Sequence, residues 1–252
     1  MKSLLLIITM TVIVALLAGV AFAGPEMSIP DSSFNFGYVP QNAKVSHVFW
    51  LYSTGDDTLK IEKVVPGCGC TKAPLEKQEL AVGDSTRLEI IFNTGRYTRV
   101  ITKRPKIVTN EGPQGKRVEI ISNVSDRPDS TFPIVMKPYK IDLTQFGSKV
   151  RDEVVFKITN VSDMRLNTSM ISIADDYFEV ELPETLPAGE TKEAKLRLKK
   201  DALGKEFEKS FTFQLNDPEK TRFTMPVKRN LRPAIGQDQT VSEDADDSSD
   251  KP

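Results

Sequence analysis

Histidine and tryptophan each occur once in this 252-residue sequence, and cysteine twice. A single histidine, His47, excludes any site that needs two imidazoles, including the usual catalytic zinc sets. It also sits inside the apolar run Val45–Leu51, the setting of a packed ring, which argues against a Ser-His-Asp centre. Charge of one sign is lacking too: the formal net charge is -1. Taking away the ends described below leaves the body at about +3, too weak and too mixed for a nucleic-acid footprint. The local basic cluster Arg96, Arg99, Lys103, Arg104 and Lys106 reads as a solvated edge strand guarded by charge. No long helical periodicity is present, and nothing in the sequence calls for a cofactor.

The one long apolar run, Leu4–Val20, follows Met1-Lys2 and ends in Ala21-Phe22-Ala23. A positive start, an apolar middle and an A-x-A ending predict a secretory signal peptide over residues 1–23, with no membrane attachment after cleavage. An uncleaved anchor is the other reading of the same run. At the opposite end, residues 236–252 hold six acidic residues against one lysine. Such a segment buries too little apolar surface to offset its ordering entropy, so residues 233–252 are expected to form a disordered acidic tail.

Between these ends lie short runs rich in Val, Ile, Phe, Thr and Tyr, parted by Gly, Pro, Asn and Asp, which is the pattern of antiparallel β-sandwiches. The pattern occurs twice. Val48–Asp56 answers Val155–Asp163 at a shift of 107, Leu80–Ser85 answers Leu186–Thr191 at 106, and Val108–Glu111 answers Gln214–Asp217 at 106. The fold expected is therefore all-β: two tandem immunoglobulin-like sandwich domains, residues 28–126 and 131–230, joined by the polar linker Ser125–Ser130.

The repeat compares the halves position by position. At a shift of 107, Cys68-Gly69-Cys70 falls on Asp175-Asp176-Tyr177, so the same architecture is expected to form without cysteine. In the second half Phe156 and Ile158 alternate with Val155, Lys157 and Thr159. Carried to the first half, this phase turns Phe49 and Leu51 inward and Val48, Trp50 and Tyr52 outward. These three are a candidate interface, covered either by another part of the chain or by a partner.

The run Phe34-Asn35-Phe36-Gly37, then Phe49–Gly55, Leu59-Lys60-Ile61, Cys68-Gly69-Cys70-Thr71, Gly83 and Thr109-Asn110-Glu111 resembles the bacterial family called domain of unknown function 1573. That family is related to sperm-protein and Hydin-type immunoglobulin-like modules. The resemblance covers about residues 32–112 and departs from the usual pattern at Ser53, where asparagine is common, and at Val82, where proline is common. It implies an exported bacterial immunoglobulin-like protein with no established activity.

For Cys68 and Cys70 four readings stand: an internal disulfide, for which Gly69 supplies flexibility; a redox-active dithiol; a soft-metal site, for which two thiolates fall short of a closed zinc set; and pairing with another molecule. In an oxidising compartment the resting state is the disulfide. Lys63 and Lys72 are the nearby cations able to favour a thiolate. The functional expectation is a non-catalytic binding or scaffolding protein of the cell envelope, periplasmic or secreted, with other envelope proteins as partners. The alternative is thiol-disulfide exchange or soft-metal binding through Cys68 and Cys70.

Overall fold

A computed structural model describes residues 24–127, 129 and 131–233. The expected signal peptide and, apart from Pro233, the expected acidic tail lie outside the described residues. Within them the chain is built of β-strands, with a 3-10 turn at Lys200–Ala202.

The first half contains β1 (Met27–Ser28), β2 (Ser33–Pro40), β3 (Lys44–Ser53), β4 (Leu59–Val65), β5 (Thr71–Lys72), β6 (Glu79–Leu80), β7 (Ser85–Asn93), β8 (Arg99–Lys103), β9 (Lys106–Thr109), β10 (Gly112–Arg117) and β11 (Glu119–Ser125). The second contains β12 (Ile134–Lys137), β13 (Ile141–Asp142), β14 (Gln145–Phe146), β15 (Glu153–Asn160), β16 (Leu166–Ile173), β17 (Phe178–Glu181), β18 (Thr185–Leu186), β19 (Thr191–Leu198), β20 (Phe207–Leu215), β21 (Arg222–Arg229) and β22 (Leu231–Arg232).

Alternation explains the strands. In β7 the residues Thr86, Leu88, Ile90 and Phe92 are buried while their neighbours are not, the period of a sheet with one wet face. In β3 Phe49 and Leu51 are buried between exposed Trp50 and Tyr52. Each buried Leu, Ile or Phe removes enough apolar surface from water to stabilise the fold by roughly 1.5–3 kcal/mol.

The sequence repeat reappears as repeated strand order. The sheet β1-β3-β7-β5 has its counterpart in β12-β15-β19-β17, and β6-β4-β9-β10 in β18-β16-β20-β21. Gly83 and Gly189, the glycines of the matching turns, both adopt left-handed backbone, at φ +79° and +72°. Asn110 and Asn216 play matching parts, each Oδ1 accepting a strand N–H, from Lys60 at 2.9 Å and Asn167 at 2.7 Å. Buried apolar side chains form two clusters, one from Met27 to Val124 and one from Ile134 to Val227.

The halves are also stitched together. Strand β2 runs parallel to β11 of its own half and to β21 of the other, where Tyr38 pairs with Phe223, so one sheet continues across both halves. At that crossing Gly37, at φ +64°, meets the backbone of Arg222, Thr224 Oγ1 donates to the Phe36 carbonyl at 2.6 Å, and Tyr139 OH donates to the Tyr38 carbonyl at 2.6 Å. The Phe34–Gly37 run of the sequence is therefore the seam between the halves.

Candidate functional site

Strand β4 ends at Val65, the chain turns at Pro66-Gly67, and it enters β5 at Thr71, which pairs with Phe92 of β7. The turn is fixed by hydrogen bonds from Thr71 N–H to the Cys68 carbonyl at 3.3 Å and from Asn93 N–H to the Cys70 carbonyl at 2.8 Å. Within it Cys68 Sγ and Cys70 Sγ lie 2.06 Å apart, at bonding distance, with their Cα atoms separated by 5.3 Å. The corresponding loop of the second half, Asp175–Tyr177, likewise runs directly into its strand at Phe178.

One expectation needs correcting. Gly69 carries no left-handed backbone, and apart from its chain neighbours nothing lies within 4 Å of where its Cβ would stand. The glycine that the turn demands is Gly67, at φ +86°, a conformation costly for other residues.

The surroundings of the pair are unequal. Thr71 Oγ1 is 3.5 Å from Cys68 Sγ and 3.7 Å from Cys70 Sγ. Tyr97 OH donates to Cys70 Sγ alone, at 3.7 Å, while Lys103 Nζ donates to that phenol oxygen at 3.4 Å and lies 4.8 Å from the ring centroid. Cys70 also packs against the first core, and the Tyr97 ring lies 5.9 Å from that of Phe92. The cation linked to the pair is thus Lys103, through Tyr97, and not Lys63 or Lys72, both of which point to solvent. Tyr97 escaped the sequence reading because it stands amid the basic cluster, and only the path of the loop brings it onto the disulfide.

That cluster lies as an edge strand should: β8 ends the long sheet, with Arg96 and Arg99 exposed and Arg104 bonded to Glu119.

A second site lies between the halves, a groove of about 720 Å³ lined on one side by Val48, Trp50 and Arg87 and on the other by Ile171, Asp176 and Tyr177. Val48 is half-buried there, whereas Trp50 is 47% exposed and its neighbour Tyr52 38%. Arg87 stands 6.0 Å from the Trp50 ring centroid and reaches Asp176 Oδ2 at 3.3 Å. Deeper in, Lys209 Nζ donates to both oxygens of Glu89 at 2.7 Å, an ion pair screened from water.

His47 lies at the same junction. Its ring stacks on Phe34 at 3.6 Å, meets Phe49 edge-on at 4.9 Å, and places Nδ1 3.1 Å from Ser172 Oγ. Burial, helped by the positive charge of Arg222, lowers its pKa from 6.5 to about 4, so the ring is neutral at physiological pH. It is a packing residue of the seam.

Arg229 was also missed by the sequence reading. Its guanidinium, fully buried, donates to the carbonyls of Leu143, Arg151 and Leu203 and to Gln145 Oε1. Strand parity held the signal, since Met225, Val227 and Arg229 share a face. Among the described residues, no three His, Cys, Asp or Glu side chains gather as a metal ion would require.

Comparison with known proteins places the first half in context. Residues 27–124 match the model of a family described as "Protein of unknown function (DUF1573)". No curated protein matches the chain. Among solved structures, a protein of unknown function from Porphyromonas gingivalis W83 aligns at 11% identity over 81% of this chain and 99% of its own, with a TM-score of 0.35. The E. coli chaperone DraB aligns at 10% identity over 80% of this chain and 98% of its own, with a TM-score of 0.30. The Pseudomonas aeruginosa CupB2 chaperone aligns at 10% identity over 79% and 98%, with a TM-score of 0.27. At these scores the likenesses carry no argument about function.

Proposed function

We propose that this chain is an exported, non-catalytic binding or scaffolding protein of the bacterial cell envelope, made of two tandem immunoglobulin-like units and a disordered acidic tail. The observation that carries the reading is the open groove between the halves, where Trp50 presents a large, half-exposed ring on a rigid strand beside Val48 and Arg87. Aromatic and arginine side chains on a fixed surface are the common anchors of protein interfaces. The sole imidazole, His47, lines the groove but is stacked on Phe34, and its pKa, lowered to about 4, makes it a weak base at physiological pH. The apolar leader supports export, and the other envelope proteins it would meet there are the partners inferred.

The test is photo-cross-linking in intact cells, with a photoreactive residue at position 50 of the full chain and, as a control, at exposed Lys60. Discrete adducts with envelope proteins at position 50, absent at position 60, are the expected result. Equal labelling at both positions, or retention of the chain in the cytoplasm, overturns the reading.

A further inference from the structure

We propose that the Cys68–Cys70 disulfide is a thiol-disulfide exchange site with a built-in direction: an incoming thiolate attacks Cys68 Sγ, and Cys70 Sγ is the sulfur that leaves. Cleavage of a disulfide puts negative charge on the departing sulfur, so hydrogen-bond donors and cations near one sulfur make it the better leaving group. The surroundings differ in that sense. Cys70 Sγ receives the Tyr97 hydroxyl, and Lys103 polarises the same hydroxyl by donating to its oxygen. Among the described residues, Cys68 Sγ has only Thr71 Oγ1, which it shares with Cys70.

Access points the same way. Cys70 rests against the first core and its carbonyl is held by Asn93 N–H. Cys68 stands between Gly67 and Gly69, both exposed. Of the two cysteines, Cys68 is thus the one set in the exposed stretch of the loop, and Cys70 the one held against the core. The second half builds the corresponding loop from Asp175, Asp176 and Tyr177, so the architecture does not require a disulfide there.

The partner inferred is a protein dithiol. Its first thiolate forms a new S–S bond to Cys68 Sγ as the Cys68–Cys70 bond breaks, and the bonding pair stays on Cys70 Sγ beside Tyr97. The partner's second thiolate then attacks the partner's own sulfur in the mixed disulfide and releases Cys68 Sγ. The partner leaves as a disulfide, and its two electrons and two protons end on Cys68 and Cys70.

The experiment incubates the oxidised full chain with reduced glutathione, quenches rapidly with acid, and maps the mixed disulfide by peptide mass spectrometry. Glutathione is expected on Cys68 in roughly tenfold excess over Cys70. In Tyr97→Phe, which keeps the ring against Phe92, the loss of one hydrogen bond is expected to reduce that excess and the rate of reduction about fivefold each. If Tyr97→Phe does not fold, Lys103→Met is expected to lower both in the same direction. Equal labelling, preference for Cys70, no adduct, or an unchanged preference in the variants overturns the proposal. None of these outcomes bears on cross-linking at Trp50, so the two readings fail separately.

Discussion

Ser53 and Asn160 hold the same place in the two halves. Ser53 pairs with Met27 and Asn160 with Ile134, and their N–H groups donate to the carbonyls of Asp84 and Glu190, each at 2.9 Å. Only Asn160 uses its side chain: Nδ2 donates to the Met164 and Leu186 carbonyls at 2.7 and 2.9 Å, while Oδ1 accepts from Ser162. Ser53 Oγ is buried without a partner among the described residues.

Ser53→Asn is therefore expected to stabilise the chain. At the matching shift its Nδ2 would face the carbonyls of Asp57 and Leu80, and satisfying a buried polar position contributes about 1–2 kcal/mol. The denaturant midpoint checks this. A fall would mean that the first half lacks room for the longer side chain.

Gly37 offers the opposite case. At φ +64°, its Cβ would stand 2.0 Å from the Arg222 carbonyl oxygen, a backbone atom unable to swing away. Gly37→Ala is expected to cost at least about 3 kcal/mol and to part the seam, so that the halves unfold in separate steps. Gly69→Ala, open on all sides but its chain neighbours, is expected to stay within about 1 kcal/mol of the parent. A single unaltered urea transition in Gly37→Ala would show that the crossing at Tyr38 and Phe223 does not couple the halves.

This contrast marks what the sequence could say. Side-chain phase was readable wherever one face meets water: Trp50 and Tyr52 are exposed and Phe49 and Leu51 buried because a strand alternates. The repeat was readable because the turn at Gly83 and the turn at Gly189 need the same backbone. What β2 pairs with was not readable, since no local pattern names the distant strand that an extended segment will meet. Gly37 therefore looked like part of a family motif rather than a close approach. The role assigned to Gly69 failed for a related reason: composition shows a glycine between two cysteines, but only backbone geometry shows that Gly67 is the strained one.

His47 predicts a specific pH dependence. Its pKa is about 6.5 in the unfolded chain and about 4 in the fold, lowered by burial and then by Arg222. Above pH 6.5 the ring is neutral in both states, and its contribution to stability is complete. As the pH falls toward about 4, the unfolded chain takes a proton that the fold refuses, and up to about 3 kcal/mol is lost. Denaturation of the parent and of His47→Gln from neutral pH downward isolates this from the carboxylates, which titrate in both. The difference between the two is expected to be flat above pH 6.5 and to slope below it; a flat difference throughout would mean that the ring titrates alike in the folded and unfolded chain.

The last prediction concerns what the disulfide does for the fold. Cys68→Ser with Cys70→Ser is expected to cost no more than about 2 kcal/mol. Closing a ring around a single residue restricts the unfolded chain little, about 1.6 kcal/mol in the chain-entropy account. Cys70 packs on the first core only partly, so replacing its sulfur by a hydroxyl leaves no large cavity, and Thr71 Oγ1 remains in reach as a hydrogen-bond partner. The turn itself is held by bonds that the substitutions leave in place, Thr71 N–H to the carbonyl of residue 68 and Asn93 N–H to that of residue 70. The second half forms the matching loop with Asp175, Asp176 and Tyr177 and still delivers Phe178 fully buried. Urea denaturation of the oxidised parent, the reduced parent and the double variant measures the difference. A loss above about 3 kcal/mol would make the pair a structural staple; a small one would mean that the worth of two cysteines around one glycine lies in their chemistry.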